Sequence, residues 1–109
     1  MTDKIKKHYV IQLKCIFEKL YVYFEYDKFS KDYCPDTQRG NDKVGYQSGN
    51  GIWIDLSYKN YEGIVVHEIS HYLDWLFDSE FYKEYCGEIK ARLHEYLYCE
   101  VMKIIKKRS

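Results

Sequence analysis

Net charge is missing from this chain, and proline nearly so. Lysine plus arginine and aspartate plus glutamate balance at 17 each. No global field therefore recruits nucleic acid or an acidic membrane surface. The one proline, Pro35, belongs to no proline-rich tract, and no repeat or linker interrupts the chain. No stretch approaches the roughly 18 uncharged residues that a membrane helix needs. The start, MTDKIKKHYVIQLK, never reaches an apolar run of signal-peptide length. A cytoplasmic protein without a membrane partner is the expectation. None of the four cysteines (Cys15, Cys34, Cys86, Cys99) stands at CxxC spacing, which argues against a zinc knuckle. Without a secretion signal they read as reduced thiols.

What the chain does have is apolar and aromatic mass. Hydrophobic residues make up 46% and 13 residues are tyrosine, enough for one folded domain over residues 1–109 with one modest core. Ile5, Tyr9, Leu13, Ile16, Phe17, Leu20 and Phe24 recur at steps of three and four, which predicts an amphipathic helix over about 3–26. Residues 27–51 hold the proline and four of the six glycines and read as loops and turns. A short strand is expected within Lys43–Gln47, then a turn at Gly49–Gly51 and a strand at Ile52–Leu56, making a small hairpin. Asn60 is placed to cap a helix over 61–77. Asp78-Ser79 ends it and starts another, which Gly87 interrupts. A last helix over 88–107 follows, with Ile89, Leu93, Leu97, Val101, Ile104 and Ile105 as its core stripe. The predicted class is α+β, with three to four helices and a small antiparallel hairpin or sheet.

The chemistry lies in one segment, Val65-Val66-His67-Glu68-Ile69-Ser70-His71-Tyr72-Leu73. Positions i and i+4 of a helix lie on one face, so His67 and His71 project together, a turn apart. Two imidazoles so placed can share a zinc ion at about 2.0–2.1 Å from each nitrogen. Glu68, about 100° round the helix, is off that face but can reach a water on the metal. This is the logic of H-E-x-x-H, in which zinc acidifies the water and the glutamate takes its proton. Chance supplies the pattern about once in a hundred chains of this composition. The apolar setting of Ile64, Val65, Val66, Ile69, Leu73 and Leu76 sets it apart from two ordinary surface histidines, and a charged Glu68 there is costly without a partner.

A catalytic zinc needs a third protein ligand and an open fourth position. Glu88, opening the last helix in Gly87-Glu88-Ile89-Lys90-Ala91-Arg92, is the leading candidate, with Arg92 one turn on to orient its carboxylate. Asp74 and Asp78 continue the face of the histidine helix and stay open as alternatives. The plain alternative for Glu88 is a surface ion pair with Arg92. His94, Arg92, Tyr72 and Tyr61 are candidates to assist an oxyanion. Trp53 and Trp75 read as core anchors.

HEISH, followed by GEIKAR, resembles the zincin metallopeptidases. It is closest to the Glu-liganded gluzincins and to the small intracellular metallopeptidase domains of phages and mobile elements. The likeness covers roughly residues 52–97. It implies a minimal zincin-like domain with Zn2+ as cofactor, His67, His71 and Glu88 as ligands and Glu68 as general base. It also implies a protein or peptide substrate lying along an edge strand before the active helix, where Ile52–Leu56 stands. Asp74 and Phe77 stand where the metzincin pattern has glycine and histidine, which sets that branch aside. The resulting expectation is a zinc endopeptidase. Its rivals are a phage-type binding or inhibitor protein that keeps a zinc-loaded scaffold without proteolysis, and a structural zinc closed by Cys86 or Asp74.

Overall fold

Along residues 9–23 side chains alternate between inside and outside, the period of a strand. The computed structural model, which describes residues 8–33, 43–78 and 87–108, has strand β1 at Tyr9–Leu13 and strand β2 at Glu18–Tyr23. Ile11 and Leu13 are buried from the first and Leu20 and Val22 from the second, while Val10, Gln12 and Lys19 face solvent. This corrects the helix expected over 3–26, whose first residues lie outside the described ones. A stripe at steps of three and four also fits two short strands folded back on each other. The β-branched and aromatic residues Tyr9, Val10, Ile11, Tyr21, Val22 and Tyr23 favour the strands. A single 3-10 turn, Lys14–Ile16, makes the reversal. Phe17 closes it in the left-handed region, at φ 57° and ψ 36°, with its ring 94% exposed.

Helix α1, Tyr26–Tyr33, occupies a stretch expected to be loop. Its signal is the spacing of Tyr26, Phe29 and Tyr33 in an otherwise polar segment. Strands β3, Gly45–Ser48, and β4, Gly51–Ile54, form the expected hairpin. Gly49 turns it at φ 54°, a conformation that favours glycine. Strand β4 stops short of Leu56 because Asp55 turns the chain. Its carboxylate accepts hydrogen bonds from the Ser57 amide at 2.9 Å and the Ser57 hydroxyl at 2.6 Å.

The four strands form one mixed sheet in the order β1-β2-β4-β3. The two hairpins are antiparallel and join through a parallel β2–β4 pair, with Val22 beside Ile52 and Tyr23 beside Trp53. Period-two alternation then sends these pairs to opposite faces. Val22, Ile52 and Ile54 join the main core with helix α2, Tyr61–Phe77, and helix α3, Gly87–Arg108. Tyr23 and Trp53 meet Phe29 of α1 in a smaller aromatic core. The observed class is α+β: a mixed sheet with α1 on one face and the α2–α3 pair on the other.

Gly51 lies under the ring of Tyr33, so close that a methyl group there would overlap the ring. The ring is held by stacking on Phe29 at 5.2 Å and by its hydroxyl, which donates to Asn50 Oδ1 at 2.7 Å.

Helix α2 spans the predicted residues. Asn60 sits at its start, but the Asn60 side chain makes no capping bond. Its backbone oxygen accepts from the amides of Gly63 and Ile64 instead. In α3, Leu93, Leu97, Val101 and Ile105 are buried as expected and Ile104 is partly so, whereas Ile89 is 40% exposed. Trp53 is a core anchor; Trp75, 48% exposed, is not. The helix expected between Asp78 and Gly87 lies outside the described residues. Among the described residues no helix is long and apolar enough to cross a membrane.

Candidate metal centre

Helix α2 has a buried face and an open one. Val65, Ile69, Tyr72 and Leu76 sink into the core, while His67 and His71 stand exposed on the open side. Their rings meet at 89° with centroids 4.4 Å apart, and the two Nε2 atoms approach to 3.0 Å. Two zinc–nitrogen bonds of about 2.0–2.1 Å at the tetrahedral angle hold their nitrogens about 3.3–3.4 Å apart. The pair would need to open by only a few tenths of an ångström to chelate one ion, and imidazole nitrogens are donors that zinc accepts.

Glu68 lies beside them and is the buried charged residue of the described structure, 5% exposed. Burial pushes its carboxyl up from the ordinary carboxylate range to about 7, against the pull of the Lys43 ammonium. Strand β3 covers it. A methyl group on Gly45 would lie 2.9 Å from Glu68 Oε2 and would collide with Ile64. The absence of a side chain at residue 45 is thus what lets β3 pass directly over the carboxylate. Lys43, Gly45, Tyr46, Gln47, His67, Glu68 and His71 together line a polar pocket of about 240 Å³.

The other expected site residues stand elsewhere. Glu88 pairs with Arg92 at 3.0 Å, with side chains 70% and 80% exposed respectively, the arrangement of a solvated surface pair. Asp74 pairs with Lys90 across the α2–α3 groove. His94 Nε2 lies 3.2 Å from the Val66 carbonyl oxygen and 3.1 Å from Ser70 Oγ. The Ser70 hydroxyl also donates to the Val66 carbonyl at 3.0 Å, so His94 joins a small polar cluster that ties α3 to α2. Tyr72 is buried against the sheet, its hydroxyl reaching the Lys19 carbonyl at 3.4 Å. None of these lines the histidine pocket. Among the described residues no group of three or more His, Cys, Asp or Glu is arranged to hold a metal ion. Cys99 is a free, exposed thiol; Cys34 and Cys86 lie outside the described residues.

Two corrections concern the strands. Ile52–Leu56, expected as an edge, contributes β4, which is paired on both sides; the strand at that end of the sheet is β3. Sequence reasoning also missed Lys43, Gly45 and Gln47 as pocket residues. Their signal was only the short run KVGYQ, which marks a strand and says nothing of what lies beneath it.

Comparison with family models, with curated proteins and with solved structures found no match.

Proposed function

We propose that the protein is a small zinc-dependent peptidase whose metal is held by His67 and His71. The observation that carries this reading is the convergence of two imidazole nitrogens to 3.0 Å beside the buried carboxyl of Glu68. Zinc held by His67 and His71 would supply a Lewis acid and a more acidic water there. Glu68 is the general base and then acid, taking a proton at a carboxylate oxygen and returning it to the departing amine nitrogen. Gly45 and Ile64 keep that carboxyl buried next to His67. Strand β3, at the end of the sheet and over the pocket, is the strand along which an extended peptide adds by backbone pairing. Glu88, the third ligand that the motif implies, stands outside the histidine pocket in its pair with Arg92, so the reading rests on His67 and His71.

Zinc analysis and cleavage of a co-expressed protein or a peptide pool test the proposal. The purified protein is expected to hold about one zinc per chain, lost in His67→Ala. Glu68→Gln is expected to keep zinc and fold while cleavage stops. Native protein that takes up no zinc, or cleavage surviving in Glu68→Gln, refutes it.

A second reading draws on Phe17, a large aromatic in a left-handed conformation with its ring in solvent. A zinc-loaded scaffold that grips a partner through such a residue, without cutting it, accounts for that exposure. A partner that co-purifies intact with zinc-replete protein favours this reading; its cleavage favours the first.

A further inference from the structure

The histidine pocket has an uneven charge pattern. Of the described residues that line it, Glu68 carries the one carboxylate and Lys43 the one ammonium. Glu68 is buried beneath β3, whereas Lys43 is exposed at the rim. The root of Lys43 is fixed, because the next residue, Val44, accepts a hydrogen bond from the Asp55 amide at 2.9 Å. Its ammonium is carried 5.2 Å above the Tyr46 ring. The amide of Gln47 is also held, donating from Nε2 to the Gly49 carbonyl at 2.8 Å. The pocket volume, about 240 Å³, is below the roughly 300 Å³ at which small-molecule sites begin. It suits one side chain or one chain end.

From this we infer that Lys43 is a specificity-determining residue: it selects peptides that present a carboxylate to this pocket, beside the bond held over His67 and His71. The inference rests on the peptidase reading for its function but not for its test. A carboxylate entering the pocket meets the lysine before it reaches the buried glutamate, so the lysine's attraction acts first. An amine or guanidinium would meet like charge at the same place. The carboxylate can belong to an aspartate or glutamate side chain or to the end of a peptide.

The test is peptide binding followed by amide NMR shifts in the Glu68→Gln protein, in which cleavage is removed. The probes are Ac-Ala-Ala-Glu-Ala-amide against its glutamine counterpart, and Ac-Ala-Ala-Ala with a free terminus against its amide. Each is titrated with zinc added and with chelator. The expected result is about fivefold tighter binding of a carboxylate peptide than of its neutral partner. The two pairs show whether the side chain or the terminus is the source. Lys43→Met is expected to abolish the preference, so that each carboxylate peptide binds no tighter than its neutral partner in the same protein, and Lys43→Arg to keep it. Equal affinities in both pairs, a preference that survives in Lys43→Met, or no binding of any probe overturns the inference. Zinc content is read separately. Protein without zinc that keeps a Lys43-dependent preference overturns the peptidase reading alone, and zinc-loaded protein without the preference overturns this inference alone.

Discussion

Gly51→Ala offers a sharp test of how the α1 face is assembled. The new methyl would overlap the Tyr33 ring at Cε2 and Cζ. The ring cannot tilt away freely, because Phe29 stacks on it and its hydroxyl is bonded to Asn50. Forcing a methyl into a packed contact costs about 1–3 kcal/mol, and losing the Tyr33–Asn50 bond about 1 kcal/mol more. Replacing glycine returns about 0.4–1 kcal/mol through the unfolded chain. The net expectation is a loss of about 2 kcal/mol, which lowers Tm by about 9 °C for a domain of this size. Urea unfolding of Gly51→Ala, Tyr33→Ala and the double variant closes a cycle. If the overlap is the cause, Gly51→Ala costs about 2 kcal/mol with Tyr33 present and close to nothing in the Tyr33→Ala background. Equal costs in the two backgrounds, or no cost in the first, refute the reasoning.

Three further outcomes are expected. The Tyr23 hydroxyl donates to Asp32 Oδ2 at 2.6 Å; burial first, then that bond and neighbouring charge, holds the phenol above its ordinary value. The folded state then prefers the neutral phenol, so this contribution is constant below about pH 10 and declines above it, by at most about 1.4 kcal/mol per pH unit. Urea unfolding from pH 8 to 11 should show a shallower decline in Tyr23→Phe. Ile69→Ala, at a fully buried position beneath the histidine pair, is expected to cost about 2–5 kcal/mol in the same assay. Glu88→Gln removes an exposed pair and is expected to change stability by less than about 0.5 kcal/mol. Its zinc affinity, read by competition with a chromogenic chelator, is expected to fall at least about tenfold if Glu88 is a ligand, and unchanged affinity removes it from the site.

The helices that carry the candidate site were readable because their evidence is local. His67 and His71 share a face of any helix, and the apolar spacing from Val65 to Leu76 and from Leu93 to Ile105 has one periodic interpretation. The N-terminal third was misread because Tyr9, Leu13, Ile16, Leu20 and Phe24 satisfy a helical stripe and a pair of strands alike. Only the partner resolves this: β2 pairs with β4, some thirty residues on, and no local pattern carries that information. The same holds for the pocket. Nothing in KVGYQ announces that Gly45 will lie over Glu68, since that contact depends on where β3 passes across α2. The helical stripe puts Ile89 inside and aromatic bulk puts Trp75 there, but each is exposed on its helix.

Gly45 over Glu68 also ties the character of that carboxyl to the assembly of the fold. The letters HEISH exist as soon as the chain is made, but a solvated glutamate in an unfinished chain is an ordinary acid, mostly ionised at neutral pH. Its altered character arises only once the β3–β4 hairpin has closed over α2. A peptide cut out as residues 61–77 would keep the two imidazoles and lose that character. Local opening of the hairpin would likewise return the carboxyl to water while the helix stayed intact, so the burial of Glu68 follows the closure of a strand it does not belong to.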